Sequence, residues 1–117
     1  MAEIDLAQGE ARPERFYIKD DTGSAGQDLS AGDLTLTVVD AAGTVLFVKS
    51  STNNTEIAIL AQSGATLGYC DVLFAEADTV NLAPGVYYFD MWFTQASDDD
   101  RQVVPLSPFV VTEKARA

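Results

Sequence analysis

Polar and aromatic side chains alternate with apolar ones along one stretch of the chain: Tyr88, Asp90 and Trp92 are separated by Phe89 and Met91. Alternation at period two is typical of a strand with one buried face. A carboxylate is rarely buried without a partner, so we expect Asp90 to face outward, together with Tyr88 and Trp92 on the same side of the strand. At 3.3 Å per residue, Tyr88 and Trp92 then share an exposed face about 13 Å apart. Such a pair favours contact with a partner protein or ligand.

The residues that usually carry catalysis are scarce. The chain has one cysteine, Cys70, and no histidine, which excludes His-based triads and most zinc sites. Cys70 lies in a predicted core strand, where a free cysteine behaves as a small hydrophobic residue. Since no nucleophile, base and orienting group can be assembled, the sequence predicts a protein that is not an enzyme.

Two aspartate clusters are candidates for calcium binding, because this cation prefers several oxygen ligands. One is Asp98 to Asp100 at a predicted hairpin tip, and the other is Asp20 with Asp21. Neither matches the spacing of a known calcium loop, and a charged, solvated turn explains each equally well. We therefore expect no metal site and no cofactor.

The composition limits the class of protein and its partners. A chain of 117 residues has room for one domain with one core. Lys and Arg number 7 against 18 for Asp and Glu, which gives a formal net charge of -11. Such a surface repels phosphate backbones, so we expect no nucleic-acid partner. The hydrophobic fraction of 47% is typical of a folded globule.

The first residues lack both the basic and the apolar region of a signal peptide. No apolar run approaches the roughly 20 residues that a membrane-spanning helix needs. The sequence therefore predicts synthesis and folding in a cytoplasm, with no membrane partner.

Short strands separated by turn signals account for most of the chain. We expect strands over residues 15–19, 34–40, 45–49, 56–61, 67–74, 86–94 and 103–111, with a helical turn within 75–81. About seven strands at this spacing indicate an all-β fold, an antiparallel immunoglobulin-like β-sandwich. The predicted domain covers residues 15–112 and is followed by a tail, 113–117.

Alternation within these strands predicts the core. The residues expected between the two sheets are Phe16, Leu36, Val38, Phe47, Ile57, Ile59, Val72, Phe74, Tyr87, Phe89, Met91, Phe93, Phe109 and Val111. Pro105 and Pro108 cannot donate to a ladder, so the last strand is expected at a sheet edge or with a bulge.

Residues 1–14 are largely polar and are predicted to form an extended arm outside the sandwich. The arm would become ordered only against a neighbouring subunit, as segments of assembly proteins often do. The predicted partner interface therefore combines Glu3, Ile4 and Leu6 of the arm with Tyr88, Asp90 and Trp92.

The order of strands and turns resembles a known family over about 95 residues. The likeness rests on Asp28-Leu29, the strand 34–39, the turn 40–43, the strand 45–49, the segment 82–90 and the final strand 109–111. Together they resemble the immunoglobulin-like domain at the N-terminus of bacteriophage baseplate upper proteins, and short phage structural proteins of similar size. This chain has Pro108 where such domains often have glycine.

The resemblance implies a structural part of a virion, made in the cytoplasm of the host bacterium. It would be a capsid decoration or head-fibre component, or a tail-fibre or baseplate attachment domain, contacting other virion proteins and forming a homo-oligomer such as a trimer. The alternative is a carbohydrate-binding module, in which Trp92 and Tyr88 contact a host envelope glycan.

A fibronectin type III domain is a second resemblance, carried by Leu82, Pro84 and Tyr88. In that arrangement Tyr88 would form the tyrosine corner and point inward. The outward position expected for Asp90 argues against it.

Overall fold

A computed structural model describes residues 3–20, 22–95 and 100–113. Within these ranges the regular structure consists of eight strands, one short helix, α1 (Glu76–Thr79), and 3-10 turns at Leu29–Ala31 and Gly64–Thr66. The strands are β1 (Ile4–Ala7), β2 (Arg12–Tyr17), β3 (Gly32–Val39), β4 (Val45–Ser50), β5 (Ile57–Ile59), β6 (Tyr69–Phe74), β7 (Gly85–Gln95) and β8 (Asp100–Thr112).

The strands form two sheets. One has five strands in the order β1-β8-β7-β3-β4, and the other has three in the order β2-β6-β5. Strands β2, β6 and β5 correspond to B, E and D of an immunoglobulin domain, while β8, β7 and β3 correspond to G, F and C. The predicted all-β, immunoglobulin-like sandwich is confirmed. It differs in having β1 as an additional strand, paired parallel to β8, so the larger sheet is mixed.

The core lies between the sheets and is built largely from the predicted residues. Phe89, Met91 and Phe93 of β7 are fully buried, as alternation around Asp90 predicts. Phe16 of β2 contacts Phe89 edge-on, with ring centroids 6.0 Å apart, and joins the two sheets. The predicted core residues that remain half-buried at the margin are Phe47, Ile59 and Tyr87.

The prediction of an N-terminal arm outside the sandwich is wrong. Strand β1 pairs in parallel with β8, with Ile4 opposite Phe109 and Leu6 opposite Val111. Ile4 and Leu6 are each only 1% exposed, because both point into the core. The domain therefore begins by residue 4 and not at residue 15.

A tight turn carries the chain from β1 in one sheet to β2 in the other. Gly9 adopts a positive φ of 75°, a conformation that glycine takes without steric cost. The N–H of Gly9 donates to Thr79 Oγ1 at 2.9 Å, and Gln8 Nε2 donates to the carbonyl of Leu82 at 2.7 Å. Gln8 and Gly9 lie in the segment predicted to be an extended arm. Their hydrogen bonds hold β1 against the segment before β7.

The tyrosine corner is made by Tyr87 and not by Tyr88. The Tyr87 hydroxyl donates to the carbonyl of Ala83 at 2.6 Å, which ties the start of β7 to the connection from β6. This contact is typical of immunoglobulin-type sandwiches. Tyr87 therefore points inward while Tyr88 remains on the outer side of the sheet.

A buried ion pair closes the sandwich beside β4. Lys49 Nζ lies 2.7 Å from Asp78 Oδ2, with side-chain exposures of 8% and 15%. The same Asp78 oxygen accepts the N–H of Ala75 at 2.8 Å, just before α1. Since Lys49 belongs to the five-stranded sheet and α1 follows β6, the pair joins the edge of one sheet to the connection leaving the other.

Strand β8 lies between β1 and β7 and contains the bulge predicted from its prolines. Phe89 is opposite Ser107 and Met91 is opposite Val104, so Pro105 and Leu106 together face the single residue Asp90. The extra residue changes the direction of the strand next to Asp90. The bulge prediction is confirmed.

Candidate docking surface

The outward side of β7 carries the three residues that dominate the sequence pattern. Tyr88, Asp90 and Trp92 face away from the core, since Phe89 and Met91 between them are fully buried. Trp92 is 41% exposed, while Tyr88 and Asp90 are half-buried. The outward orientation predicted for this set is confirmed.

Asp90 is held in place by two neighbours. Trp92 Nε1 donates to Asp90 Oδ2 at 3.1 Å, and Gln102 Nε2 of β8 donates to the same oxygen at 3.4 Å. Asp90 Oδ1 accepts no hydrogen bond from the described part of the chain. One carboxylate oxygen is therefore engaged in orienting the indole ring, and the other is available to a ligand.

Small side chains surround this set on the neighbouring strand. Thr35, Thr37 and Val39 of β3 stand opposite Trp92, Asp90 and Tyr88, respectively. Thr35 and Val39 are shorter side chains than the rings of Trp92 and Tyr88 that they oppose.

An apolar row crosses the sheet at the level of Tyr88. Val45, Val39, Tyr88 and Pro108 are paired in sequence across β4, β3, β7 and β8. We call the outward residues of this region the outer aromatic face; its members are Val39, Val45, Val48, Val86, Tyr88, Asp90, Trp92, Leu106 and Pro108.

Exposure of large apolar side chains is concentrated on this face. Five described residues of the five-stranded sheet are exposed large hydrophobics: Val45, Val48, Val86, Trp92 and Leu106. Single exposed apolar residues are common, but a cluster with an aromatic centre is typical of an interaction surface. The arrangement suits a protein contact with aromatic anchors.

No family model matches the chain, and no curated protein matches it. Among solved structures, the chain is similar to CopC from Methylosinus trichosporium OB3b. The TM-score is 0.50 at 12% identity, and the likeness covers 100% of this chain and 90% of that chain. At this level of identity the likeness shows the fold alone. It agrees with an all-β architecture.

Cys70 is fully buried in β6, as predicted. Burial, together with the nearby Asp71 carboxylate, raises the pKa of the thiol to about 12. The nucleophilic form of cysteine is the thiolate, so this thiol is unreactive at neutral pH. Cys70 is a packing residue.

The predicted aspartate clusters are only partly described. Asp20 Oδ1 accepts hydrogen bonds from the Thr22 hydroxyl at 2.6 Å and the Thr22 N–H at 3.1 Å, which lowers the pKa of Asp20. Asp21, Asp98 and Asp99 lie outside the described residues. Over the ranges 3–20, 22–95 and 100–113, no group of three or more His, Cys, Asp or Glu is placed to hold a metal ion.

The interface residues predicted in the N-terminal arm, Glu3, Ile4 and Leu6, do not share one environment in the structure. Ile4 and Leu6 fill the core, so the prediction that they contact a partner is wrong. Glu3 is exposed at the start of β1, and a hydrogen bond with the Asp5 carboxyl raises the pKa of Glu3. Tyr88, Asp90 and Trp92 share the outward side of β7.

The outer side of the three-stranded sheet carries polar and aromatic pairs that sequence patterns did not bring together. Arg15 Nε donates to Asp71 Oδ1 at 2.8 Å, and the rings of Tyr17 and Tyr69 lie 4.9 Å apart. Both are direct cross-strand pairs between β2 and β6. Such pairs stabilise a sheet. Predicting them would have required the strand register.

In the described part of the chain, no helix is long and apolar enough to cross a membrane.

Proposed function

We propose that this chain is a non-enzymatic structural part of a bacteriophage particle, attached to another virion protein through the outer aromatic face. The observation that carries the docking role is the exposed Trp92, oriented by Asp90 within an apolar sheet surface. The virion setting rests on the sequence resemblance to phage baseplate and small structural domains.

Aromatic residues contribute strongly to protein interfaces. Tryptophan and tyrosine bury large areas and are enriched among the residues whose truncation weakens binding most. Trp92 is held by Asp90 before any partner arrives, so docking loses less side-chain entropy than it would with a freely rotating ring. These properties support an attachment role for a small domain.

The resemblance covers two kinds of attachment. On the head, the chain would be a capsid decoration or head-fibre component; on the tail, it would join fibre or baseplate parts. Homo-oligomerisation, for example as a trimer, belongs to the same proposal.

The scarcity of catalytic side chains supports a role without catalysis. The chain has no histidine, and its single cysteine is buried. CopC is a copper-binding protein. Copper binding is not favoured in this chain, because histidine is absent and both Cys70 and Met91 are fully buried.

Carbohydrate binding is the second candidate function. It is favoured by the same site, because the exposed ring of Trp92 lies beside the polar groups of Asp90 and Gln102. Sugar-binding sites combine aromatic surfaces with a few polar groups that fix orientation. Saturable binding of purified protein to host envelope glycans, lost on Trp92→Ser, would favour this function.

Incorporation into particles tests the proposed function. The phage encoding the chain would carry Trp92→Ser, with Tyr17→Ser as the matched control; Tyr17 is 43% exposed on the other sheet, close to the 41% of Trp92. We expect Trp92→Ser to remain folded but to be lost from purified particles, whereas Tyr17→Ser should be retained. Equal retention of both would contradict docking through the outer aromatic face.

A further inference from the structure

We infer that the outer aromatic face receives a basic side chain, best an arginine, from a partner protein, with Asp90 as its anion and Trp92 as its aromatic wall. This inference rests on the proposed docking function and specifies the chemistry of the partner. It follows from the geometry of the carboxylate, the position of the ring and the distribution of charge.

Asp90 is prepared to bind a cation. Its Oδ2 is occupied by the Trp92 indole and the Gln102 amide, at 3.1 and 3.4 Å, which fixes the carboxylate. Its Oδ1 accepts no hydrogen bond from the described residues. A charge-assisted hydrogen bond to such an oriented oxygen is stronger than one between neutral groups.

The aromatic neighbours favour the same ligand. The 3.1 Å contact places the Trp92 indole directly beside the carboxylate. The N–H edge of the indole faces the carboxylate, so a guanidinium bound at Oδ1 would be attracted to the ring where it reaches over the ring face, within about 6 Å of the centroid. The planar guanidinium can stack on a ring and donate to a carboxylate at once, which an ammonium does less well.

The chain's own cations lie elsewhere. Arg12 and Arg15 belong to β2 in the three-stranded sheet, and Lys49 is buried against Asp78. Arg101 donates to the Lys19 carbonyl and to Gln27 Oε1, each at 3.0 Å. Asp90 is the charged member of the outer aromatic face, and none of the described Lys and Arg side chains donates to it.

This distribution of charge favours some possible binding partners of the outer aromatic face over others. A second copy docking through the same face by two-fold symmetry would bring one Asp90 close to the other, and like charges in an interface are unfavourable. A neutral glycan would not use the charge of Asp90. A partner that presents a basic residue on an apolar surface complements both the carboxylate and the rings.

Peptide binding to the full chain tests the inference. The probe is the capped tripeptide Gly-Arg-Gly, compared with the same peptide carrying neutral citrulline in place of arginine. The chain contains one tryptophan, so the indole N–H resonance reports on the site directly. We expect a saturable shift with the arginine peptide and about tenfold weaker binding of the citrulline peptide, because the charged hydrogen bond is lost.

Two variants of equal charge make the test specific. Asp90→Asn keeps the shape of the side chain and its hydrogen bonds from Trp92 and Gln102, and should lower affinity for the arginine peptide about tenfold. Asp5→Asn removes a carboxylate from the exposed side of β1 and should leave affinity unchanged. The inference would be overturned if the original protein bound both peptides equally. It would also be overturned if the Asp90→Asn protein bound the arginine peptide with the affinity of the original protein.

Particle incorporation separates this inference from the proposed function. If Trp92→Ser is lost from particles but Asp90→Asn is retained, the docking role stands and the basic ligand is wrong. If the arginine peptide binds as expected but neither variant affects incorporation, the ligand chemistry stands and docking on the particle through the outer aromatic face is wrong. A Trp92 resonance that depends on protein concentration without peptide would assign the face to a second copy and overturn the inference.

Discussion

The indole N–H of Trp92 donates to the carboxylate of Asp90, two residues earlier on the same side of β7, at 3.1 Å. The largest exposed aromatic side chain of the five-stranded sheet is therefore oriented by an anion and not free to rotate. Because the carboxylate keeps one oxygen available, the same contact that orients the ring also prepares a site for a cationic group.

Replacing Phe89 with alanine should destabilise the fold strongly. Phe89 is fully buried and contacts Phe16 of the other sheet. Truncation of a buried phenylalanine costs about 3 to 5 kcal/mol, which urea unfolding of the purified protein would measure. Tyr88→Ala, on the opposite side of the same strand, should cost about 1 kcal/mol or less. A larger loss at Tyr88 than at Phe89 would contradict the orientation of β7.

The N-terminal strand should be essential for stability. Leu6 is 1% exposed and lies opposite Val111, so Leu6→Ala should lower the free energy of unfolding by about 2 to 5 kcal/mol. Asp5→Ala, on the exposed side of β1, should change it by about 0.5 kcal/mol or less. An arm outside the sandwich, as expected from the sequence, predicts that deleting residues 1–12 leaves thermal stability almost unchanged. The structure predicts a large fall in Tm, because the deletion removes the buried Ile4 and Leu6. A truncated protein with the original Tm would contradict the assignment of β1 to the core.

Lys49 and Asp78 should be strongly coupled. Their 2.7 Å contact is largely buried, so removing one partner leaves the other charge without compensation. We expect Lys49→Met and Asp78→Ala each to cost about 3 kcal/mol. The double variant should cost clearly less than the sum of the two, since no unpaired charge remains. Additive losses in chemical unfolding would mean that the two residues do not stabilise the fold as a pair.

Cys70 should make stability depend on alkaline pH. Burial raises the pKa of its thiol from the ordinary value of 9.0 to about 12. A group with a raised folded-state pKa stabilises the fold fully below its unfolded pKa and loses that contribution as pH rises through the folded pKa. The original protein should therefore lose stability more steeply than Cys70→Ala between 9.0 and about 12. Parallel pH profiles of the two proteins would show that the thiol is not desolvated.

The sequence was sufficient to predict most of the sandwich because alternation and turn residues are local signals. In β7, the carboxylate of Asp90 decides which of the two alternating sets is buried, and the structure follows that assignment. The same reasoning failed for β1. That strand has only 4 residues, and its stabilising partner β8 lies at the other end of the chain. No local pattern distinguishes such a segment from an extended arm.

The site was predicted only in part, because alternation along a strand is a local signal whereas contacts between side chains are not. Outward exposure of Tyr88 and Trp92 follows from alternation, whereas the hydrogen bond from Trp92 to Asp90 depends on side-chain rotamers. The second contact, from Gln102, depends on the register of β8 after its bulge. The ion pair between Lys49 and Asp78 likewise depends on how α1 packs against β4, which neither residue's neighbours in the sequence encode.

Electron cryomicroscopy of purified particles of the phage proposed to encode this chain would show whether the domain is attached to a virion through the outer aromatic face. We expect density for the domain on the virion, with a neighbouring protein in contact with the rings of Tyr88 and Trp92 and a basic side chain at Asp90. A domain that is present on the particle with the outer aromatic face open to solvent would contradict this expectation, as would purified particles that lack the chain.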